Sequence, residues 1–155
     1  MKKTSKPKGA PPAGPQLNTQ LAARGFRFTP QRERVYSILL QQRDHPTAEQ
    51  LFLRSKQELP DISMATVYNC LAALMQCRLV REVNLDRGAT RYCPNMSDHL
   101  HFSCDQCGGV YDVDYAARTR RADFGLPRGF QATGYEVSIH GFCSACASRP
   151  KGRRK

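Results

Sequence analysis

Two pairs of cysteines at the same short spacing constrain the fold of this chain more than any other feature. The first pair is Cys104-x-x-Cys107, and the second pair, Cys143-x-x-Cys146, follows after 35 intervening residues. Each pair can turn two thiolates toward one point, and four thiolates complete the tetrahedral shell of a closed, structural Zn²⁺ site. The spacing therefore predicts that a zinc ion joins two distant stretches of the second half of the chain and helps it to fold.

Disulfide bonds and redox catalysis are the alternative interpretations of these cysteines. No apolar signal segment follows Met1, so we expect a cytoplasmic protein, in which structural disulfides are rare. A thiol–disulfide oxidoreductase needs its CxxC pair at a helix N-terminus, whereas Cys104 and Cys107 lie between two strand-like segments.

No nucleophile–base pair suggests other catalysis, so we expect no enzyme and no catalytic residue. No apolar run reaches the length of a membrane span.

Basic residues are concentrated at the two ends of the chain and in its first half. Residues 1–16 and 149–155 together carry nine basic residues and no acidic ones. Residues 17–92 have eleven basic and seven acidic groups, whereas residues 93–148 have four basic and six acidic groups. A basic half joined to an acidic half favours a nucleic-acid-binding domain coupled to another domain. The tails alone fit a solubilising role equally well.

The first half is predicted to form a winged helix over residues 17–92. Capping residues and apolar periodicity indicate four short helices, at 17–24, 29–42, 47–56 and 64–77. Strand-like segments at 79–83 and 89–92 then flank a turn at 86–88 and form a β-hairpin. Helices followed by a two-stranded hairpin make a winged helix, which is a variant of helix-turn-helix.

The second half is predicted to be a small α/β domain at 99–147, which holds the zinc and follows a hinge at 93–98. Its predicted elements are strands at 101–104 and 110–113, a helix at 115–124 and a longer strand near 130–140. The lysine- and proline-rich residues 1–16 are expected to be a disordered basic tail, and residues 148–155 a second basic tail. The predicted fold class is thus α+β.

The fourth predicted helix has two different faces. Apolar residues from Val67 to Leu74 follow the spacing of a core stripe. A second face, which carries Ala65, Tyr68 and Asn69, has no acidic residue. Because Asn can bond adenine edges and Tyr can reach a phosphate or a thymine methyl group, we interpret this face as reading DNA. An ordinary solvated face is the alternative.

Five motifs of the chain resemble those of the ferric uptake regulator family, in the same order and spacing over about residues 20–147. They are FTPQR at 28–32, HPTAE at 45–49, ISMATVYN at 62–69, HLHFSCDQCG at 99–108 and GFCSAC at 141–146. The resemblance implies a dimeric, metal-dependent transcriptional regulator, usually a repressor, that binds a pseudo-palindromic double-stranded operator. It also implies an N-terminal winged helix and a C-terminal α/β dimerisation domain.

A second, regulatory metal site is predicted around two histidines. His99 and His101 are two residues apart on a strand, so their side chains share one face and can share an ion. The resemblance implies that His45, His99, His101 and Asp112 bind the sensed metal, usually with a carboxylate at position 93. Here that position is Cys93, whose softer thiolate shifts the preference toward zinc while still permitting iron. A site made of these five residues would tie the two halves of the chain together.

The sensed signal has two interpretations. The residues around Tyr68-Asn69 and the run at 97–99 are similar to the peroxide-stress branch of the family. That similarity implies iron or manganese at the regulatory site, and iron-catalysed oxidation of His45 or His99 by peroxide. Zinc-sensing members place a Cys before a His-x-His pair, so a zinc-sensing uptake regulator is the alternative.

A zinc-ribbon RNA-binding protein is the alternative from another class, because it would share the basic tails and the paired cysteines. It would not need a capped helical half or a separate histidine site.

If the chain instead binds DNA, we expect the contacts to come from Arg32, Ala65, Thr66, Tyr68, Asn69 and Arg81.

Overall fold

The computed structural model describes residues 14–85, 88–114, 125–131 and 137–148. The chain divides into two compact units, and the boundary falls between Ser97 and Asp98. Within the described residues, the first unit has four helices and a hairpin, and the second has a three-stranded sheet and one short helix. The predicted α+β class is confirmed. The predicted helix at 115–124, most of the N-terminal tail and residues 149–155 lie outside the described residues.

The helices of the first unit begin where hydroxyl side chains can cap them. The Thr29 hydroxyl accepts the backbone N–H of Arg32, and the Ser63 hydroxyl accepts that of Thr66. Thr47 forms the predicted capping box with Gln50. These bonds satisfy N–H groups that have no partner inside a first helical turn. The bounds are α1 (Pro15–Ala22), α2 (Pro30–Gln41), α3 (Ala48–Lys56) and α4 (Met64–Gln76).

The core of the first unit is built from the apolar faces of these helices. Val67, Leu71 and Leu74 of α4 are at most 1% exposed and belong to the same buried cluster as Val35 and Leu39 of α2. The predicted core stripe of the fourth helix is therefore confirmed. Its burial fixes the opposite face of α4 toward solvent.

The hairpin consists of β1 (Arg81–Val83) and β2 (Arg91–Cys93), which pair antiparallel with Arg81 opposite Cys93. Both strands are shorter than predicted, and residues 86–87 of the predicted turn lie outside the described residues. Cys93 ends β2 and is fully buried, so the predicted hinge at 93–98 begins inside a strand.

Hydrogen bonds also order the residues that follow Cys93. The Arg81 guanidinium donates to the carbonyl of Asn95, at 2.9 and 2.6 Å, and to the carbonyl of Ser97. The Asn95 side-chain oxygen in turn accepts the backbone N–H of Ser97 at 3.1 Å. Residues 95–97 of the predicted hinge therefore form a turn that Arg81 of β1 holds by hydrogen bonds. Of the predicted hinge, only Asp98 belongs to the second unit.

The second unit contains a sheet with strand order β4-β3-β5, made of β3 (Leu100–Cys104), β4 (Val110–Val113) and β5 (Ser138–Gly141). β3 pairs antiparallel with β4 and parallel with β5. The strand predicted near 130–140 begins only at Ser138, and residues 132–136 lie outside the described residues. A short helix that was not predicted, α5 (Ser144–Ala147), follows β5. No helix in the described ranges combines the length and apolar character needed to cross a membrane.

Candidate metal centres and DNA-reading face

The four cysteines of the two CxxC pairs converge at one end of the β3–β5 ladder. The parallel register sets Cys104 opposite Gly141, two residues before Cys143. Candidate ligand atoms of Cys104, Cys107, Cys143 and Cys146 all lie within 4.8 Å of one another, and the Cys107 and Cys143 sulfurs are 3.8 Å apart. Two sulfurs bound tetrahedrally to one zinc ion, at about 2.3 Å each, lie about 3.8 Å apart. The cluster therefore has the dimensions of a four-cysteine zinc site.

Backbone N–H groups prepare part of this cluster to carry negative charge. The N–H of Cys143 donates to the Cys104 sulfur at 3.4 Å. Hydrogen bonds from the backbone of Cys143, Cys107 and Gln106 lower the pKa of Cys104 to about 6. Burial has the opposite effect on its neighbour and raises the pKa of Cys146 to about 12. Four adjacent thiolates need a compensating cation, which a divalent metal ion supplies.

Tyr111 contacts this cluster from β4, which the sequence did not reveal. Its hydroxyl donates a hydrogen bond to the Cys143 thiolate, and that bond raises the pKa of Tyr111 to about 12. A side chain at Gly109 would bring its Cβ within 2.9 Å of the Tyr111 hydroxyl oxygen. Gly109 thus leaves the space in which Tyr111 reaches the cysteines.

A second group of donors lies in the same unit, at the opposite end of β3. The His99 Nε2 atom is 2.9 Å from His101 Nε2 and 3.1 Å from an Asp112 carboxylate oxygen, and His101 Nε2 is 3.7 Å from that oxygen. Strand register explains the arrangement, because His101 and Asp112 are direct partners across β3 and β4. Two nitrogens bound to one ion at about 2.1 Å lie about 3.0 Å apart at a right angle and about 3.4 Å apart at a tetrahedral angle. The three side chains therefore fit one metal ion.

The first unit holds the two remaining predicted ligands, His45 and Cys93. Both are buried, and their candidate ligand atoms lie within 4.8 Å of each other. An isolated β-bridge between Thr47 and Arg91 joins the loop before α3 to β2, and the Tyr92 N–H donates to the Pro46 carbonyl at 3.0 Å. This pairing brings together two residues that are far apart in sequence.

The Cys93 sulfur contacts the backbone of the turn that follows it. The sulfur accepts the backbone N–H of Asn95 at 3.4 Å, inside the turn that Arg81 holds. The Cys93 thiol also lies 3.8 Å from the Asn95 carbonyl oxygen and can donate to it. These two contacts fix the position of the sulfur beside His45.

The predicted DNA-contacting residues differ in their surroundings. Ala65, Tyr68 and Asn69 are exposed along one face of α4. The partly buried Thr66 shares a hydrogen bond of 2.8 Å with the capping hydroxyl of Ser63. The two arginines have contacts within the first unit: Arg32 lies over the Phe26 ring and donates to the Arg27 carbonyl, and Arg81 holds the turn at 95–97.

Comparison with known proteins points to one family. A sequence profile of the ferric uptake regulator family matches residues 23–140. The peroxide-responsive repressor PerR of Staphylococcus aureus is 29% identical over 126 residues, which cover 81% of this chain and 85% of that protein.

Solved structures show the same relationship. The peroxide stress regulator of Campylobacter jejuni is 30% identical, with a TM-score of 0.61, and the match covers 84% of this chain and 96% of that one. The ferric uptake regulator Fur of Helicobacter pylori shares the fold, with a TM-score of 0.70, 19% identity and coverage of 88% and 91%. This chain belongs to the ferric uptake regulator family.

Proposed function

We propose that this chain is a metal-dependent transcriptional repressor that binds a pseudo-palindromic DNA operator as a homodimer. The observation that carries the proposal is the presence of two donor clusters of different chemistry, four thiols in one and histidines with a carboxylate in the other. A closed four-thiol cluster suits a structural zinc ion, whereas a mixed cluster suits an ion that is exchanged. One site then maintains the fold and the other reports on metal supply.

We further propose that His45 and Cys93 complete the site of His99, His101 and Asp112. Three donors from the second unit leave coordination positions open for ligands from the first. The chain from Cys93 to His99 advances only six residues, and six extended residues span roughly 20 Å at most. A linker of this length permits the donors of both units to meet at one ion.

An ion shared between the two units would act as a switch on DNA binding. Donors on both sides bind it best in one arrangement of the units, so loading shifts the population toward that arrangement. If only that arrangement sets the two α4 helices of a dimer at the spacing of successive major grooves, apparent DNA affinity follows the loaded fraction. The exposed face with Ala65, Tyr68 and Asn69 would enter the groove.

Two observations favour different sensed metals. Similarity to peroxide regulators favours iron or manganese, together with a response to peroxide. The buried thiol of Cys93 beside His45 favours zinc, because thiolate is a softer ligand than carboxylate. We place iron or manganese first and keep zinc sensing as the second candidate.

The test begins with selection of duplex DNA from a random pool by the full-length protein, with zinc retained in the four-cysteine site. The selected duplex is then titrated without added metal and with Fe²⁺ under nitrogen, Mn²⁺ or Zn²⁺. Affinity that rises at least about tenfold with one metal supports the switch. Equal affinity in all samples contradicts it.

Variants of position 93 test which metal is sensed. Cys93→Asp restores the carboxylate usual in the family and should move the preference from Zn²⁺ toward Mn²⁺. Cys77→Ser, which alters a thiol outside both clusters, serves as the control. If the metals raise DNA affinity in the same order in the Cys93→Asp protein as in the wild type, Cys93 is not a ligand of the sensed metal.

Two further measurements separate the remaining alternatives. If the protein senses peroxide, peroxide treatment of the Fe²⁺-loaded protein adds one oxygen to the peptide of His45 or His99, which mass spectrometry detects. A competition between the selected duplex and structured RNA tests the RNA-binding alternative. If the protein prefers the structured RNA, the proposal that it is a DNA-binding regulator is wrong.

A further inference from the structure

The loop that carries His45 has an unusual backbone conformation. His45 has a φ of 54°, in the left-handed region, and it directly precedes Pro46. Histidine adopts a positive φ more often than most residues, but a following proline favours extended conformations with a negative φ. The conformation therefore needs support from neighbouring groups, and it decides where the buried imidazole points.

Two arginines from different elements hold neighbouring residues of this loop. Arg54 of α3 binds the carboxylate of Asp44 through two nitrogens, at 2.9 and 2.5 Å. Arg91 of β2 donates to the backbone carbonyl of His45 itself, at 2.9 Å. The first contact is exposed, whereas the second is partly buried and reaches across 46 residues of sequence. The contact from Arg91 is the one made directly to the candidate ligand.

Strand β2 connects that contact to the other ligand. Arg91 and Cys93 are two residues apart on β2, so their side chains leave the same face of the strand. One short strand thus supplies both a metal ligand and the guanidinium that holds the backbone of the second ligand. Any shift of β2 would move both groups together.

We propose that Arg91 is a positioning residue of the regulatory metal site, which keeps the His45 imidazole beside the Cys93 thiolate. It acts through the His45 carbonyl and does not touch the ion. This inference rests on the proposed function, in which His45 and Cys93 are ligands of the sensed metal. It adds a residue that binds no metal yet sets the affinity for it.

The test uses Co²⁺ as a spectroscopic probe of the regulatory site in full-length, zinc-loaded protein. Loss of an outer contact to a ligand lowers metal affinity about 10- to 100-fold. We expect Arg91→Met to weaken Co²⁺ binding by at least about tenfold and Arg91→Lys, which keeps one donor, to recover part of the loss. Arg24→Met, at an exposed position, removes the same charge and should bind Co²⁺ like the wild type.

A double variant separates positioning of His45 from general damage. In a His45→Ala background the Arg91→Met change should have no further effect on Co²⁺ affinity, because the group that Arg91 positions is gone. An equal loss in both backgrounds would overturn the proposal, as would wild-type affinity in the single Arg91→Met variant.

Hydrogen exchange of the metal-free protein tests the contact independently. Arg91→Met should accelerate exchange of the Tyr92 amide, which bonds the Pro46 carbonyl, while amides in the middle of α2 keep their rates. Unchanged exchange at Tyr92 would overturn the positioning role. If exchange responds but His45→Ala binds Co²⁺ as tightly as the wild type, the proposed function fails and the contact stands.

Discussion

At the scale of single residues, the cysteine cluster depends on hydrogen bonds from groups that bind no metal. Tyr111 donates to the Cys143 thiolate through a gap that Gly109 leaves open. Such bonds delocalise thiolate charge and orient the sulfur, so they affect how tightly an ion is retained. Tyr111 is itself half exposed. Replacing it with phenylalanine therefore removes the hydroxyl and leaves the packing of the ring unchanged.

Tyr111→Phe should accelerate transfer of zinc to a competing chelator by about tenfold, because it removes one hydrogen bond to a ligand and leaves the ring in place. The rate is measured by absorbance of the chelator complex. Tyr68→Phe, on the exposed face of α4, is the matched control and should leave the rate unchanged. Equal rates for Tyr111→Phe and the wild type would show that the hydroxyl has no role in zinc retention.

At the scale of elements, α1 and α4 end in the same motif with different residues. After α1, the Gly25 N–H bonds the Ala22 carbonyl and the Phe26 N–H bonds the Leu21 carbonyl, with Gly25 at φ 77°. After α4 the corresponding left-handed position is Arg78, at φ 55°. This is the Schellman motif, in which glycine has no steric penalty and a residue with a Cβ does.

Arg78→Gly should therefore raise the free energy of unfolding of the first unit by roughly 0.5–1 kcal/mol, after allowance for the greater freedom of glycine in the unfolded chain. Urea denaturation followed by circular dichroism measures the change. Arg78→Ala is the matched control, because it removes the same side chain but keeps the strained backbone, and it should give no gain. A similar gain for both variants would assign the effect to the lost charge instead.

At the scale of the whole molecule, the two units differ in how they are held together. The first has a continuous apolar core of leucine, valine and aromatic side chains. In the described residues of the second unit, the buried cluster is made of Cys104, Cys143 and Cys146, with Phe102 packed against it. A zinc ion bound by four cysteines of such a cluster contributes directly to the free energy of folding.

Removal of zinc by a chelator under reducing conditions should therefore unfold the second unit and leave helices α1 to α4 intact. Circular dichroism should retain most of its helical signal, and limited proteolysis should open cleavage sites only beyond Ser97. Cys104→Ser should behave in the same way without a chelator, whereas Cys77→Ser should retain zinc. Cooperative loss of all helical signal would show that the first unit depends on the metal as well.

Local chemistry explains what could be predicted about the fold. The caps of Thr29, Thr47 and Ser63, the core stripe of α4 and the pairing of the two CxxC motifs each depend on residues within one turn or on a spacing. Such signals act over a few residues and need no knowledge of the tertiary structure. The resemblance to a family added the expected partners of His99 and His101.

The sequence by itself thus determined which residue types could become metal ligands and which segments of the first unit would be helices. Tertiary structure decided what surrounds them: that Cys93 ends a strand, that Arg81 and Arg91 hold a turn and a ligand, and that Tyr111 reaches a cysteine. The physical reason is that hydrogen bonds between distant residues depend on strand register and on the ends of loops. Neither is encoded in the pattern of any one segment.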